Sequence, residues 1–227
     1  MVVLIHGGFW KAPYTKLLMT RLARSVAASG WAAWNIEYRR LGRLGGGGGW
    51  PATFADVAAA IDHLARLDGL DTDRVVTCGH SAGGHLALWA AGRACHGTDG
   101  PGGAAVVPVR GVVSLAGVAD LTHAARGGGG AGAVRDLMGG GPDEVPDRYR
   151  MGSPAARLPF GVPQVLVHGL ADTTVPPSMS ERYVLAAREA GDPATYVPIE
   201  GVAHRQMLDP GDPSWAVALD HLGRLLG

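Results

Sequence analysis

Ser81 stands in the run Gly79-His80-Ser81-Ala82-Gly83, between the apolar stretch Val75-Val76-Thr77-Cys78 and a helix-like segment from Gly84 to Arg93. A serine flanked by small residues where a strand turns sharply into a helix has its hydroxyl lifted clear of the sheet, in position to attack an acyl carbon. The small flanks follow from sterics, because the turn leaves no room for side chains where it approaches neighbouring backbone. The Ala82 amide, at the start of the following helix, points where negative charge would develop on the attacked group, and the helix dipole adds to it. With 36 glycines in 227 residues so short a pattern arises easily by chance. Its weight rests on what accompanies it.

The apolar run Val2-Val3-Leu4-Ile5 leads directly into His6-Gly7-Gly8-Phe9-Trp10. A strand that ends in such a loop brings glycine amides to the same oxyanion, while the histidine side chain braces the loop and is not the base. Gly8 is the best-placed donor, with Gly7 or Phe9 as its partner and Ala82 completing the set. Phe9 and Trp10 either wall a pocket beside the reacting group or simply pack the loop down.

A serine hydroxyl becomes a nucleophile when an imidazole takes its proton and a carboxylate orients that imidazole. With an elbow serine the partners follow in the order acid, then histidine. The strand-like run Val165-Leu166-Val167-His168-Gly169 is followed by Asp172, and Tyr196-Val197-Pro198-Ile199 is followed by His204. One helix and one strand fit between Asp172 and His204, which places both in neighbouring loops at one sheet edge. Asp120, after Val112-Val113-Ser114-Leu115, is the rival acid, while Asp209 reads as a solvated or capping residue. His80, His85 and His168 read as structural by position. No grouping of His, Cys, Asp and Glu has metal-ligand spacing, so neither metal nor cofactor is expected.

Strands must alternate with helices to hold these loops at one rim. Leu17, Leu18, Leu22, Val26 and Ala27 fall near helical spacing, Trp31 to Ile36 reads as a strand, and Thr53 reads as the cap of a helix bearing Phe54, Val57, Ala58, Ile61 and Leu64. A last helix carries Trp215, Val217, Leu219, Leu222, Leu225 and Leu226. The pattern predicts a mostly parallel sheet covered by helices on both faces. The length suits one domain, spanning residues 1–227, that buries about 70% of its unfolded surface. The glycine runs 45–49 and 127–130 read as loops, and residues 120–160 as a small cap with a short helix near Val134 to Met138.

Twenty basic and twenty acidic residues balance, and without a basic patch neither nucleic acid nor a membrane surface is an expected partner. Cys78 and Cys95 are expected as two reduced, buried thiols, not a disulfide. Absence of a basic leader, a cleavage site or a long apolar span predicts a cytoplasmic protein.

The runs HGGFW, GHSAGGHLA, HGLAD and GVAH together resemble the α/β-hydrolase superfamily, and most of all its branch of arylformamidases (kynurenine formamidases) and hormone-sensitive-lipase-like esterases. The resemblance covers nearly the whole chain and implies an α/β-hydrolase fold. It implies Ser81 as nucleophile, His204 as base, Asp172 as acid, and Gly7, Gly8 and Ala82 around the oxyanion. Tyr38 matches a tyrosine that such enzymes often carry after the next strand, so it joins Phe9 and Trp10 as a pocket candidate. The implied substrate is a small ester or aryl-formamide, cleaved through an acyl-serine intermediate. A prolyl-oligopeptidase-like peptidase is an alternative, as is a binding protein that keeps the fold without catalysis. Relatives of this kind carry further strands before the HGG strand, which here begins the sequence. That predicts an exposed edge at the Trp31–Tyr38 strand, explained by a late start or by a second subunit covering it.

Overall fold

The computed structural model describes residues 1–98 and 100–227. Six strands form one parallel sheet: β1 (Val2–Ile5), β2 (Ala33–Ile36), β3 (Val76–His80), β4 (Gly111–Leu115), β5 (Gln164–Gly169) and β6 (Ala194–Ile199). Their order across the sheet is β2-β1-β3-β4-β5-β6. The helices are α1 (Thr20–Ala28), α2 (Ala52–Asp62), α3 (Ala82–Ala91), the single turn α4 (Leu121–His123), α5 (Ala131–Met138), α6 (Pro146–Gly152), α7 (Ser178–Glu189) and α8 (Pro213–Leu226). This is the α/β-hydrolase arrangement.

Because strand side chains alternate between faces, each strand feeds two cores. Val2 and Leu4, with Val76, Cys78, Val113 and Val167, pack against Leu22 and Val26 of α1 and Trp215 and Leu222 of α8. Val3 and Ile5 point the other way, toward Phe54 and Ile61 of α2, Leu86 and Trp89 of α3, and Tyr183 of α7. A parallel sheet covered on both faces needs near-continuous apolar strands, which is what β1, β3 and β4 provide.

The strand order reverses at β1, which pairs with β2 on one side and β3 on the other. Such a reversal leaves a crevice at the carboxyl ends of the two strands around it, where open α/β sheets take their ligands. β2 lies at an edge of the sheet, with Trp34 and Asn35 half-buried. Thr53 does not cap α2. Pro51 holds the cap position, and the Thr53 hydroxyl, inside the first turn, donates to Arg39 O at 2.6 Å and accepts from Gly49 N at 2.9 Å. It ties the glycine loop to the helix. Neither cysteine is in a disulfide: Cys78 is buried, and burial pushes its thiol up to about 12, while Cys95 is exposed. Among the described residues no helix is long and apolar enough to cross a membrane.

Candidate active site

β3 ends at His80 and α3 begins at Ala82, so Ser81 alone makes the turn, with φ 57° and ψ −120°. That conformation costs a non-glycine residue about 1–3 kcal/mol, and it persists only where the surroundings fix it. Here Ser81 N donates to Leu115 O at 2.8 Å and Ser81 O accepts from His85 N at 3.1 Å. The flanking glycines have a steric reason: a Cβ on Gly79 would strike the Gly83 carbonyl, and one on Gly83 would strike the Ile5 carbonyl. The elbow therefore closes against the end of β1.

The loop after β1 meets it there. A Cβ on Gly7 would lie 2.6 Å from His80 O and 3.1 Å from the Ser81 Cβ. Gly8, Phe9 and Trp10 follow with φ of 105°, 56° and 57°, a left-handed run that turns the loop over the serine. Among the described residues the amides of Gly7, Gly8, Phe9 and Ala82 donate no hydrogen bond within the protein. Free amides beside a nucleophile are what an oxyanion requires. His6 is fully buried beneath the loop, its Nε2 2.7 Å from Glu37 Oε1 and its ring stacked on Tyr38 at 4.3 Å. Tyr38 corrects the sequence reading. Its hydroxyl donates to His6 O at 2.8 Å and its ring is buried, so it braces the loop and lines neither cavity at Ser81.

His204 Nδ1 donates to Asp172 Oδ2 at 2.6 Å. The same oxygen accepts from His168 Nε2 at 3.2 Å, and Oδ1 accepts from the amides of Thr174 at 2.8 Å and Val175 at 3.0 Å. Burial works to raise the Asp172 carboxyl, but these hydrogen bonds outweigh it and hold the group well below the usual carboxylate range. An ionised Asp172 fixes the proton of His204 on Nδ1 and leaves Nε2 free to accept another. Ser81 and His204 line one cavity of about 140 Å³, together with Gly8, Tyr14, Thr174 and Leu208. Among the described residues the Ser81 hydroxyl has no hydrogen-bond partner, and such contacts commonly tighten only when substrate arrives. A second cavity, of about 10 Å³, is also lined by Ser81 but not by His204. Phe9 lines both cavities and Trp10 only the smaller.

Asp120, the rival acid, caps α4 by accepting from His123 N at 2.9 Å and takes no part in the site. Asp209 pairs with Arg21 at 3.0 Å. His80 and His168, read as structural, touch His204 and Asp172 respectively. His80 Nε2 donates to His204 O at 2.9 Å, and burial, aided by the nearby His204, pushes its imidazole down to about 3, so it stays neutral. Ser180 Oγ donates to His168 Nδ1 at 2.7 Å, which leaves the His168 proton on Nε2 facing Asp172. Tyr14 and Leu208 carry no sequence signal, and Leu18 carries only that of a helix face. Their place depends on how two loops fold toward each other.

A family model described as BD-FAE matches residues 1–186 of the chain. No curated protein matches the sequence. A truncated carbohydrate esterase from gut microbiota superposes with a TM-score of 0.83 at 23% identity, over 99% of this chain and 85% of that one. A bifunctional GH43-CE protein of Bacteroides eggerthii gives 0.84 at 25% identity, over 100% of this chain and 34% of its own. Esterase 2 of the planctomycete Thermogutta terrifontis, with propionate bound, gives 0.75 at 25% identity, covering 99% and 81% of the two chains.

Proposed function

This chain belongs to the BD-FAE family, and we propose that it hydrolyses carboxylic esters through an acyl intermediate on Ser81. The observation that carries this reading is the 2.6 Å hydrogen bond between His204 Nδ1 and Asp172, with the histidine on the same cavity as a strained elbow serine. The esterase names of the similar structures support it. In this mechanism His204 Nε2 takes the Ser81 proton as Oγ bonds to the acyl carbon. The oxyanion is held by the Ala82 amide and the glycine loop, with Gly8 foremost and Gly7 or Phe9 beside it. His204 then returns the proton to the departing alcohol oxygen, the C–O bond breaks, and the acyl-serine remains. Water, deprotonated by His204, attacks it, releases the acid and restores the hydroxyl. Asp172 stays ionised throughout.

An aryl-formamide would follow the same steps with an amine as leaving group. Phe9 supports this second reading, since it is 37% exposed and lines both cavities at Ser81. A panel of p-nitrophenyl esters beside N-formylkynurenine separates the two. Fluorophosphonate labelling tests the nucleophile. Wild type should label and Ser81→Ala should not, with ester turnover down by about 10³-fold or more and the melting temperature preserved. A folded wild type that neither labels nor turns over esters would mean a binding protein, and unchanged hydrolysis in Ser81→Ala would place the nucleophile elsewhere.

A further inference from the structure

The two cavities that meet at Ser81 differ in size, in openness and in what lines them. The larger, about 140 Å³, contains His204 and shares Leu18, Arg205 and Leu208 with an open surface groove of about 710 Å³. The smaller, about 10 Å³, holds neither His204 nor any charged side chain; Ala82, Val118, Val134 and Val175 form much of its wall. The chemistry assigns a portion of the substrate to each. The oxygen that leaves must receive its proton from the base, so the alcohol portion lies on the side of His204. The carbonyl carbon is bonded to Ser81 and its oxygen faces the amides of Ala82 and the glycine loop, so the acyl chain is directed to the opposite side, into the smaller cavity.

We propose that this cavity is the acyl subsite and that Val134, on α5, sets its depth, restricting the enzyme to acyl groups of two carbons. This rests on the ester-hydrolase reading above. A space of about 10 Å³ takes one water-sized group, the room a single methyl needs. Val118, Val134 and Val175, which line it, are each buried, at 6%, 0% and 4% exposure. Gly129 and Gly130, with φ of 115° and 75°, bring backbone to the wall just before α5. The wall does not retreat easily. α5 is tied to the rest of the molecule by Trp50 N donating to Leu137 O at 2.7 Å, by Lys11 paired with Asp136 at 3.2 Å, and by Arg148 donating to Met138 O at 2.8 Å. The Lys11 pair, half-exposed at both ends, joins α5 to the loop that follows Gly7 and Gly8.

The test is the acyl-length profile of kcat/KM on p-nitrophenyl acetate, butyrate and hexanoate, which share one leaving group. Wild type should fall by about tenfold or more from acetate to butyrate, since the added methylenes have no room. Val134→Ala should raise the butyrate-to-acetate ratio by about tenfold, and Val118→Ala, on a different element, should move it the same way if the α5 variant does not fold. Leu18→Ala, on the other cavity, should leave the ratio where it stood. A wild type that prefers butyrate or hexanoate, or a ratio moved by Leu18→Ala and not by either valine variant, overturns the assignment while leaving the hydrolase reading intact. Absence of turnover on every ester, with no fluorophosphonate label, removes the hydrolase reading and the subsite together.

Discussion

At the scale of single residues the site is a set of hydrogen bonds converging on one carboxylate. Asp172 accepts from His204, His168 and two backbone amides, so its oxygens are fully used while ionised. Asp172→Asn keeps the shape but offers an NH₂ or a neutral carbonyl to His204 Nδ1, and with that it loses control of the tautomer. Turnover should fall by about 10⁴-fold. Asp120→Asn, made beside it, removes only the charge of a capping residue and should leave kcat near wild type; kcat on p-nitrophenyl acetate decides which aspartate serves the base. Ser81, Asp172 and His204, the residues proposed for the chemistry, stand out in the sequence because each lies just past an apolar run and the chain order is constrained. Tyr38 was legible as a residue but not as a role. Whether it points at the cavity or at His6 depends on a stacking geometry that no spacing encodes. His80 and His168 were set aside as structural for the same reason, since their hydrogen bonds reach His204 O, 124 positions away, and Asp172 across a tight turn.

At the scale of elements the decisive feature is how closely β1, β3 and α3 approach. Gly83 shows it: a Cβ there would meet the Ile5 carbonyl and lie 2.6 Å from the carbonyl carbon and oxygen of His6. These are backbone atoms at the end of β1 and just past it, which cannot swing aside as a side chain can. Gly83→Ala must therefore part α3 from β1 and drag both the elbow and the loop 6–10 out of place. The variant should lose about 1–3 kcal/mol of stability in urea unfolding and most of its esterase activity. Unaltered turnover would show that the elbow is not held as described. The strands were readable because buried parallel strands are continuous apolar runs; β1 and β4 begin and end within a residue of the pattern. In the segment from Asp120 to Arg157 only α5 was, its span Ala131–Met138 taking in the short helix expected near Val134 to Met138. There the chain makes α4, a π turn, α5, α6 and a 3-10 turn in quick succession, and short elements whose faces are set by what they pack against leave little period to read.

At the scale of the whole molecule, the buried histidines tie stability to pH. His6, His80 and His85 are all held below the ordinary imidazole value, His80 at about 3 and His85 at about 4, with burial the leading cause in each. A histidine whose folded pKa is depressed binds a proton more readily when unfolded. Its contribution is complete above about pH 6.5, shrinks as pH falls below that value, and is gone at its folded pKa. Asp172, also depressed, acts in a lower window, beginning only below about pH 4 where the unfolded carboxylate takes its proton. Between pH 7 and 5 the histidines therefore dominate, and each that stays neutral in the fold should cost about 2 kcal/mol of stability over that interval. His85 is the cleanest probe. It donates from Nε2 to Gly152 O at 2.9 Å and packs edge-on against Trp10 and Phe54, away from the reacting groups. His85→Gln keeps a donor at that position and cannot titrate. Urea unfolding at pH 7 and pH 5 should show the variant less stable than wild type at pH 7, but with a loss on acidification smaller by about 2 kcal/mol. Equal losses in the two proteins would mean that His85 takes up its proton inside the fold, and that the aromatic cage around it opens well before the molecule unfolds.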